Sequence, residues 1–267
     1  MTTDEPRGAI APIPPELNPE AFDRAHGVTA NSLMWRLSRE VYGERYPEEI
    51  QPWGATSWWT LGRFVSGLNL GIGRHLVDLA CGRGGIGLWL ARATGASVTG
   101  VDWSPVAVSE ATQRTPRFVP TDRARFVVGD LAATGLPPNS ADAVVCGDAV
   151  FFASDRIAVF AEVDRILLPG GRFMFTADES DDGRPAAVPD WTPLITAGGL
   201  RVEAREEIPN FREDLARMYD VWLANIDEVR ETLGDESADD LEGEAKSVGP
   251  TVSGRTGVLY TASSKGR

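Results

Sequence analysis

The chain has 267 residues, enough for one large domain with a modest addition. Lys plus Arg total 26 against 39 Asp plus Glu, a formal net charge of -13, which excludes a general grip on nucleic-acid phosphates. No apolar run approaches the roughly 18 to 20 residues of a membrane span, so no membrane partner is expected.

Residues 1–20 carry Pro6, Pro12, Pro14, Pro15 and Pro19, which deny the backbone a helix or a ladder and predict a flexible arm. The stretch before Pro15 has no apolar core behind a basic start, so the chain reads as unexported and cytoplasmic. Residues 21–70 predict an N-terminal helical cap. Leu33, Leu37 and Val41 recur every fourth residue, with Arg36, Arg39, Glu40 and Glu44 between them, the pattern of an amphipathic helix over 28–46 that Pro47 ends. A second helix is expected over 55–68.

From residue 71 to 267 short β-branched runs alternate with helical stretches, the signature of an α/β domain built on a parallel sheet. Strands are predicted at 75–80, 97–102, 124–130, 142–147 and 171–177. Cys81 and Cys146 fall in apolar, strand-like segments and read as buried thiols. One helix follows the glycine loop over 88–94. Ser104 caps another, with Pro105 in its first turn. Ile157, Phe160, Val163 and Leu167 mark a third, which Pro169-Gly170-Gly171 is expected to stop before the fifth strand. Residues 178–190 read as a solvated acidic loop. Two further strands, at 200–208 and 257–263, flank an amphipathic helical insertion at about 211–247 whose acidic residues read as a solvated face.

The most informative stretch runs from His75 to Gly87, a strand entering a glycine-rich turn and then a helix. Gly82, Gly84 and Gly87 satisfy G-x-G-x-x-G, a pattern shared by several adenosine cofactors and also by plain tight turns. Charge separates the cofactors. A dinucleotide would bring its pyrophosphate against this turn, where Asp78 repels it; a carboxylate there suits the ammonium of a methionine moiety. Asp102, at the end of the second strand, is placed to accept hydrogen bonds from ribose hydroxyls. Trp103 offers a face to adenine or packs its helix. Asp130, with Leu131 beside it, repeats the arrangement at the third strand, where an acceptor takes the adenine amino group. Three carboxylates at three consecutive strand tips converge on one crevice.

The stretches Val77 to Gly84, Val101-Asp102-Trp103, Gly129-Asp130-Leu131 and Leu168 to Phe173 resemble the motifs of class I S-adenosylmethionine-dependent methyltransferases, of the small-molecule type common in bacterial specialised metabolism. The resemblance implies a Rossmann-like seven-stranded, mostly parallel sheet in the order 3-2-1-4-5-7-6 with the last strand antiparallel. It also implies S-adenosylmethionine as cofactor, S-adenosylhomocysteine as product, and methyl transfer to an O, N or C atom of a small-molecule natural product, as in antibiotic biosynthesis. Ala80 stands where the family usually has its first glycine, and a methyl group is tolerable there if the residue keeps a negative φ.

Methyl transfer needs alignment and exclusion of water more than a fixed catalytic residue. Asp148, at the tip of the fourth strand, is the first candidate to contact substrate or act as a base; a helix-entry acid would look the same. His26 is a second candidate base, against a surface or capping role. Phe151 and Phe152 are expected to wall the substrate pocket. Trp58 joins them if the aromatics between 35 and 59 line that pocket rather than form the core of the cap. Competing readings are a cofactor-binding cyclase or isomerase that moves no methyl group, a nicotinamide oxidoreductase, which Asp78 and Asp130 disfavour, and a non-catalytic subunit, which would show a degenerate site. Either a monomer or a homodimer is compatible with the pattern.

Overall fold

The computed structural model describes residues 22–23, 26–27, 32–182 and 187–265. The expected arm and the first residues of the first expected helix lie outside them. Helix α1 (Ser32–Tyr42) buries Leu33, Leu37 and Val41, as their spacing requires, and tightens into a 3-10 turn at Gly43–Arg45 just before Pro47. Helix α2 (Trp58–Gly67) starts at a capping box formed by Ser57 and Thr60.

The sheet follows: β1 (His75–Leu79), α3 (Gly85–Thr94), β2 (Ser97–Asp102), α4 (Pro105–Arg114), β3 (Ala124–Val128), β4 (Ala141–Cys146), α5 (Arg156–Ile166), β5 (Leu167–Ser180), α6 (Thr192–Ala197), β6 (Leu200–Glu207), α7 (Phe211–Ala224), α8 (Ile226–Leu233), α9 (Asp235–Val248) and β7 (Arg255–Ser264). All seven strands form one sheet in the order β3-β2-β1-β4-β5-β7-β6. β7 runs antiparallel to both neighbours. Ser104 caps α4 by accepting from the Ala107 N–H at 3.0 Å, with Pro105 in the first turn.

Alternation along the central strands sends their apolar side chains to two faces. Val77, Leu79, Val144, Phe173, Phe175 and Tyr260 pack with Phe160 of α5 and with Trp191. Leu76, Val98, Val145 and Met174 pack on the other face with Leu61 and Phe64 of α2 and Leu88 of α3. α2 is therefore a layer of the sheet domain rather than part of the cap. A third apolar cluster joins α1 to α7, α8 and α9 through Leu37, Val41, Trp222, Val229 and Ala238. Arg36 pairs with Glu228 at 2.6 Å, and Arg45 binds Asp214 through two 2.6 Å hydrogen bonds. The first expected helix and the insertion before the last strand thus build one roof.

The insertion consists of three helices, interrupted at Asn225 and at Gly234 with its φ of 89°. Three local expectations are corrected. Pro169-Gly170-Gly171 lies inside β5, where a register shift lets the strand pair Leu167 with Ala141 and Arg172 with Ala143. Asp178 to Ser180 extend β5 against β7; their acids are neutralised at long range, Asp178 by Arg255 at 2.8 Å and Glu179 by Arg205 at 2.6 Å. Ala80 takes a φ of 50°, in the left-handed region, so the condition set for its methyl group is not met. Among the described residues no helix is long and apolar enough to cross a membrane.

Candidate active site

The glycine loop lies between β1 and α3. Helix α3 begins at Gly84 in the left-handed region and has no side chain of its own N-cap. Asp78 supplies that function from the strand: its Oδ2 accepts the Gly87 N–H at 2.8 Å. A Cβ at position 87 would come within 2.6 Å of that oxygen, so this contact requires glycine there. Burial raises the Asp78 carboxyl to about 7, against the opposing Gly87 hydrogen bond. From behind the loop the buried Arg114 guanidinium donates to the carbonyls of Arg83 at 2.9 Å and Ile50 at 2.9 Å.

Asp102 closes the second strand tip. Its Oδ2 accepts the Gly82 N–H at 2.8 Å and its Oδ1 the Ser104 N–H at 2.9 Å. Burial raises its pKa, opposed by those amides and by His26. Each oxygen keeps a second lone pair for another donor. Asp130, exposed beyond β3, turns Oδ1 onto the Ala132 N–H at 2.7 Å, and Leu131 leans on the apolar layer beside it. Asp78, Gly82, Gly84, Asp102, Trp103, Asp130 and Leu131 are thus disposed along the C-terminal ends of three adjacent strands, where an open α/β sheet binds ligands.

Asp148 follows β4, with a φ of 52°. Its Oδ1 accepts the Thr176 hydroxyl at 2.6 Å and its Oδ2 the Ala55 N–H at 2.7 Å. Burial raises its pKa, opposed by these two hydrogen bonds. Phe151 and Phe152 pack on each other just beyond, with centroids 4.5 Å apart. Tyr42 of α1 feels the Asp148 charge, which together with burial holds its phenol above the ordinary range.

The segment with Phe22 and His26 lies across the crevice. The Phe22 ring is 5.0 Å from that of Trp103 and 5.4 Å from that of Phe152, and Ser104 Oγ donates to Asp23. His26 is buried over Gly82, and burial lowers its pKa against the pull of Asp102. It stands at the glycine loop, beside Asp102. Trp58 rests on Trp89 of α3 at 5.8 Å, whereas Trp53 is the tryptophan beside His26, at 6.2 Å. Sequence reasoning missed Thr176, Ala55 and Arg114. One clue pointed to the first two, the acid placed just after a strand end, and a second lay in Gly54, whose Cβ would meet Asp148 Oδ2 at 2.7 Å.

A family model described as a methyltransferase domain matches residues 77–175. That match covers β1 to the middle of β5, and the seven-stranded sheet has the strand order of the Rossmann-like methyltransferase fold. Methyltransferase GfsG of Streptomyces halstedii is 28% identical over 202 residues, 72% of this chain and 71% of that protein. Sterol 24-C-methyltransferase ERG6B of Gibberella zeae is 36% identical over 107 residues, 39% of this chain; the chain spans only 28% of that relative's length. Among solved structures, the cyclase SpnF superposes with a TM-score of 0.76 at 18% identity, over 98% of this chain and 100% of that one. A phosphoethanolamine N-methyltransferase of Haemonchus contortus in complex with S-adenosylmethionine gives 0.67 at 17% identity, over 94% and 58%. At such identities the likeness concerns the fold.

Proposed function

We propose that the protein transfers a methyl group from S-adenosylmethionine to an O, N or C atom of a small-molecule natural product, releasing S-adenosylhomocysteine. The observation that carries this reading is the set of strand-tip carboxylates around the glycine loop, within the stretch that matches the methyltransferase domain. The loop suits that cofactor. Gly82, at a φ of 50°, has no framework atom in front of it, and a Cβ there would come within 3.3 Å of His26 Cε1. Its bare backbone is a cradle between the Asp102 carboxylate and the segment above.

When bound, the cofactor supplies an electrophilic methyl group on a sulfonium. Asp78 and the backbone of Ala80, Gly82 and Gly84 would hold the methionine end, Asp102 the ribose hydroxyls, and Trp103, Asp130 and Leu131 the adenine. Phe151 and Phe152 would wall the acceptor side under the roof of α1 and α7 to α9, and exclude water. Asp148 would contact the acceptor; its raised pKa suits it to receive a proton from a hydroxyl or amine. His26 would act from the cofactor side. A cytoplasmic setting agrees with the two buried free thiols, Cys81 and Cys146. A monomer or homodimer, with neither nucleic acid nor membrane as partner, completes the proposal.

A second reading, a cofactor-binding cyclase or isomerase, is favoured by the full-length superposition on SpnF. One experiment separates the two: incubation with methyl-deuterated S-adenosylmethionine and metabolite extract from the source organism lacking this gene, followed by mass spectrometry. A labelled new product supports methyl transfer. Conversion of an extract component without label supports the cyclase or isomerase.

A further inference from the structure

We propose that Thr176 is a positioning residue, which fixes the Asp148 carboxylate as a negative charge on the methyl-transfer side of the crevice. The inference rests on the cofactor reading above. Cys146 pairs with Phe175, so β4 leaves the sheet at the level of Thr176. There the chain takes an unfavourable turn, because Asp148 has a φ of 52° and is not glycine. Thr176 holds it at two points. Its hydroxyl oxygen accepts the Asp148 N–H at 2.9 Å, and its hydroxyl hydrogen goes to Asp148 Oδ1 at 2.6 Å. Backbone and side chain of one residue are thus tied by one hydroxyl group. Ala55 N–H fixes the other carboxylate oxygen.

Thr176 is 1% exposed, between Phe175 and Ala177. Packing at such a strand position is served as well by valine; the hydroxyl is needed only for Asp148. The preceding Gly147 touches the glycine loop's helix, since a Cβ on it would lie 2.5 Å from Ile86 Cδ1. The tip therefore abuts the place where the methionine end would lie.

The neighbouring charged and titratable groups leave this carboxylate uncompensated. Asp178 of β5 is already paired with Arg255. Tyr42 of α1 and the Cys146 thiol of β4 stay neutral, both raised by burial first and then by nearby acids including Asp148. Among the described residues no basic side chain forms an ion pair with Asp148. Uncharged donors orient it, and its charge is left for a cation in front of it: the sulfonium, or an acceptor that gains positive charge as the methyl arrives.

Two probes that need no identified acceptor test this. In sinefungin an amine-bearing carbon replaces the methylsulfonium, so its ammonium points toward the acceptor; S-adenosylhomocysteine has nothing there. Their Kd values are measured by calorimetry at pH 8 for the full chain and for Asp148→Asn, Thr176→Val and Thr176→Ser. The wild type is expected to prefer sinefungin. Asp148→Asn should lower that preference about tenfold, the scale of one charge-assisted hydrogen bond. Thr176→Val should lower it roughly fivefold, and Thr176→Ser should restore it. A variant that only loosens the fold weakens both probes together and leaves their ratio unchanged. An unchanged ratio in Thr176→Val, or a Thr176→Ser protein as impaired as Thr176→Val, overturns the proposal while leaving the cofactor reading intact. Failure of the wild type to bind either probe overturns both.

Discussion

The guanidinium of Arg83, inside the glycine loop, lies 5.0 Å from the centroid of the Trp35 ring on α1. Its Nε also donates to Glu110 of α4 at 3.0 Å. Through this side chain the glycine loop touches the first helix of the roof, which in turn packs on α7 to α9. Arg83→Met keeps the length and removes the cation. It should cost about 1 kcal/mol of local stability, seen as roughly fivefold faster amide exchange in α1. The same variant should show weaker protection of α1 when S-adenosylhomocysteine is added. Equal protection in variant and wild type would show that loop and roof are not coupled through this contact.

Ala80→Gly should stabilise the protein. The present residue holds a methyl group at a φ of 50°, and glycine removes that strain at the expense of a more flexible unfolded chain. The expected gain is about 0.5 to 1 kcal/mol, or a Tm rise of roughly 1 to 4 °C, read by thermal unfolding without ligand.

Asp102→Asn preserves shape and removes the charge that would grip the ribose. Affinity for S-adenosylhomocysteine should fall about 10- to 100-fold by calorimetry, the scale of hydrogen bonds to a charged group. An unchanged affinity would sink the ribose assignment.

Stability should depend on pH through Asp78. Its folded pKa, about 7, stands above the ordinary 3.8, so the native state holds a proton that the unfolded chain has released. That contribution is complete below about pH 4 and is lost as pH rises to about 7, at most roughly 4 kcal/mol in all. The lowered pKa of His26 acts with the opposite sign, removing stability as pH falls below the ordinary 6.5. Asp78→Asn deletes only the first effect. The difference in unfolding free energy between the two proteins, measured by urea titration from pH 4 to 8, should therefore slope with pH across that window; a flat difference would refute the assignment.

Arg114→Ala should be the most damaging of these changes. It leaves the Arg83 and Ile50 carbonyls without their donor in a buried setting, at a cost of about 3 kcal/mol. Urea unfolding measures it. Arg114→Lys, lacking the planar fork, should recover only part.

What the sequence displayed was what neighbours along the chain decide. Leu33, Leu37 and Val41 announce α1, Ser104 with Pro105 announces α4, and the glycine loop with its strand-tip acids marks the crevice; the strand order came from the family resemblance. What it concealed depends on partners far away. Asp178 reads as loop until Arg255, 77 positions later, neutralises it. Asp148 reads as a plain helix-entry acid until Thr176 and Ala55 are found holding it. The short helix α6, with Pro193 in its first turn, has too few residues to display a period.

The roof is encoded in two places, before β1 and between β6 and β7, yet it packs as a single body joined by Arg36–Glu228, Arg45–Asp214 and a common apolar cluster. A chimera meant to exchange acceptor preference with a relative must therefore graft both segments together. Transplanting either one alone strands half of an interface, exposing Leu37 and Val41 on one side or Trp222 and Val229 on the other.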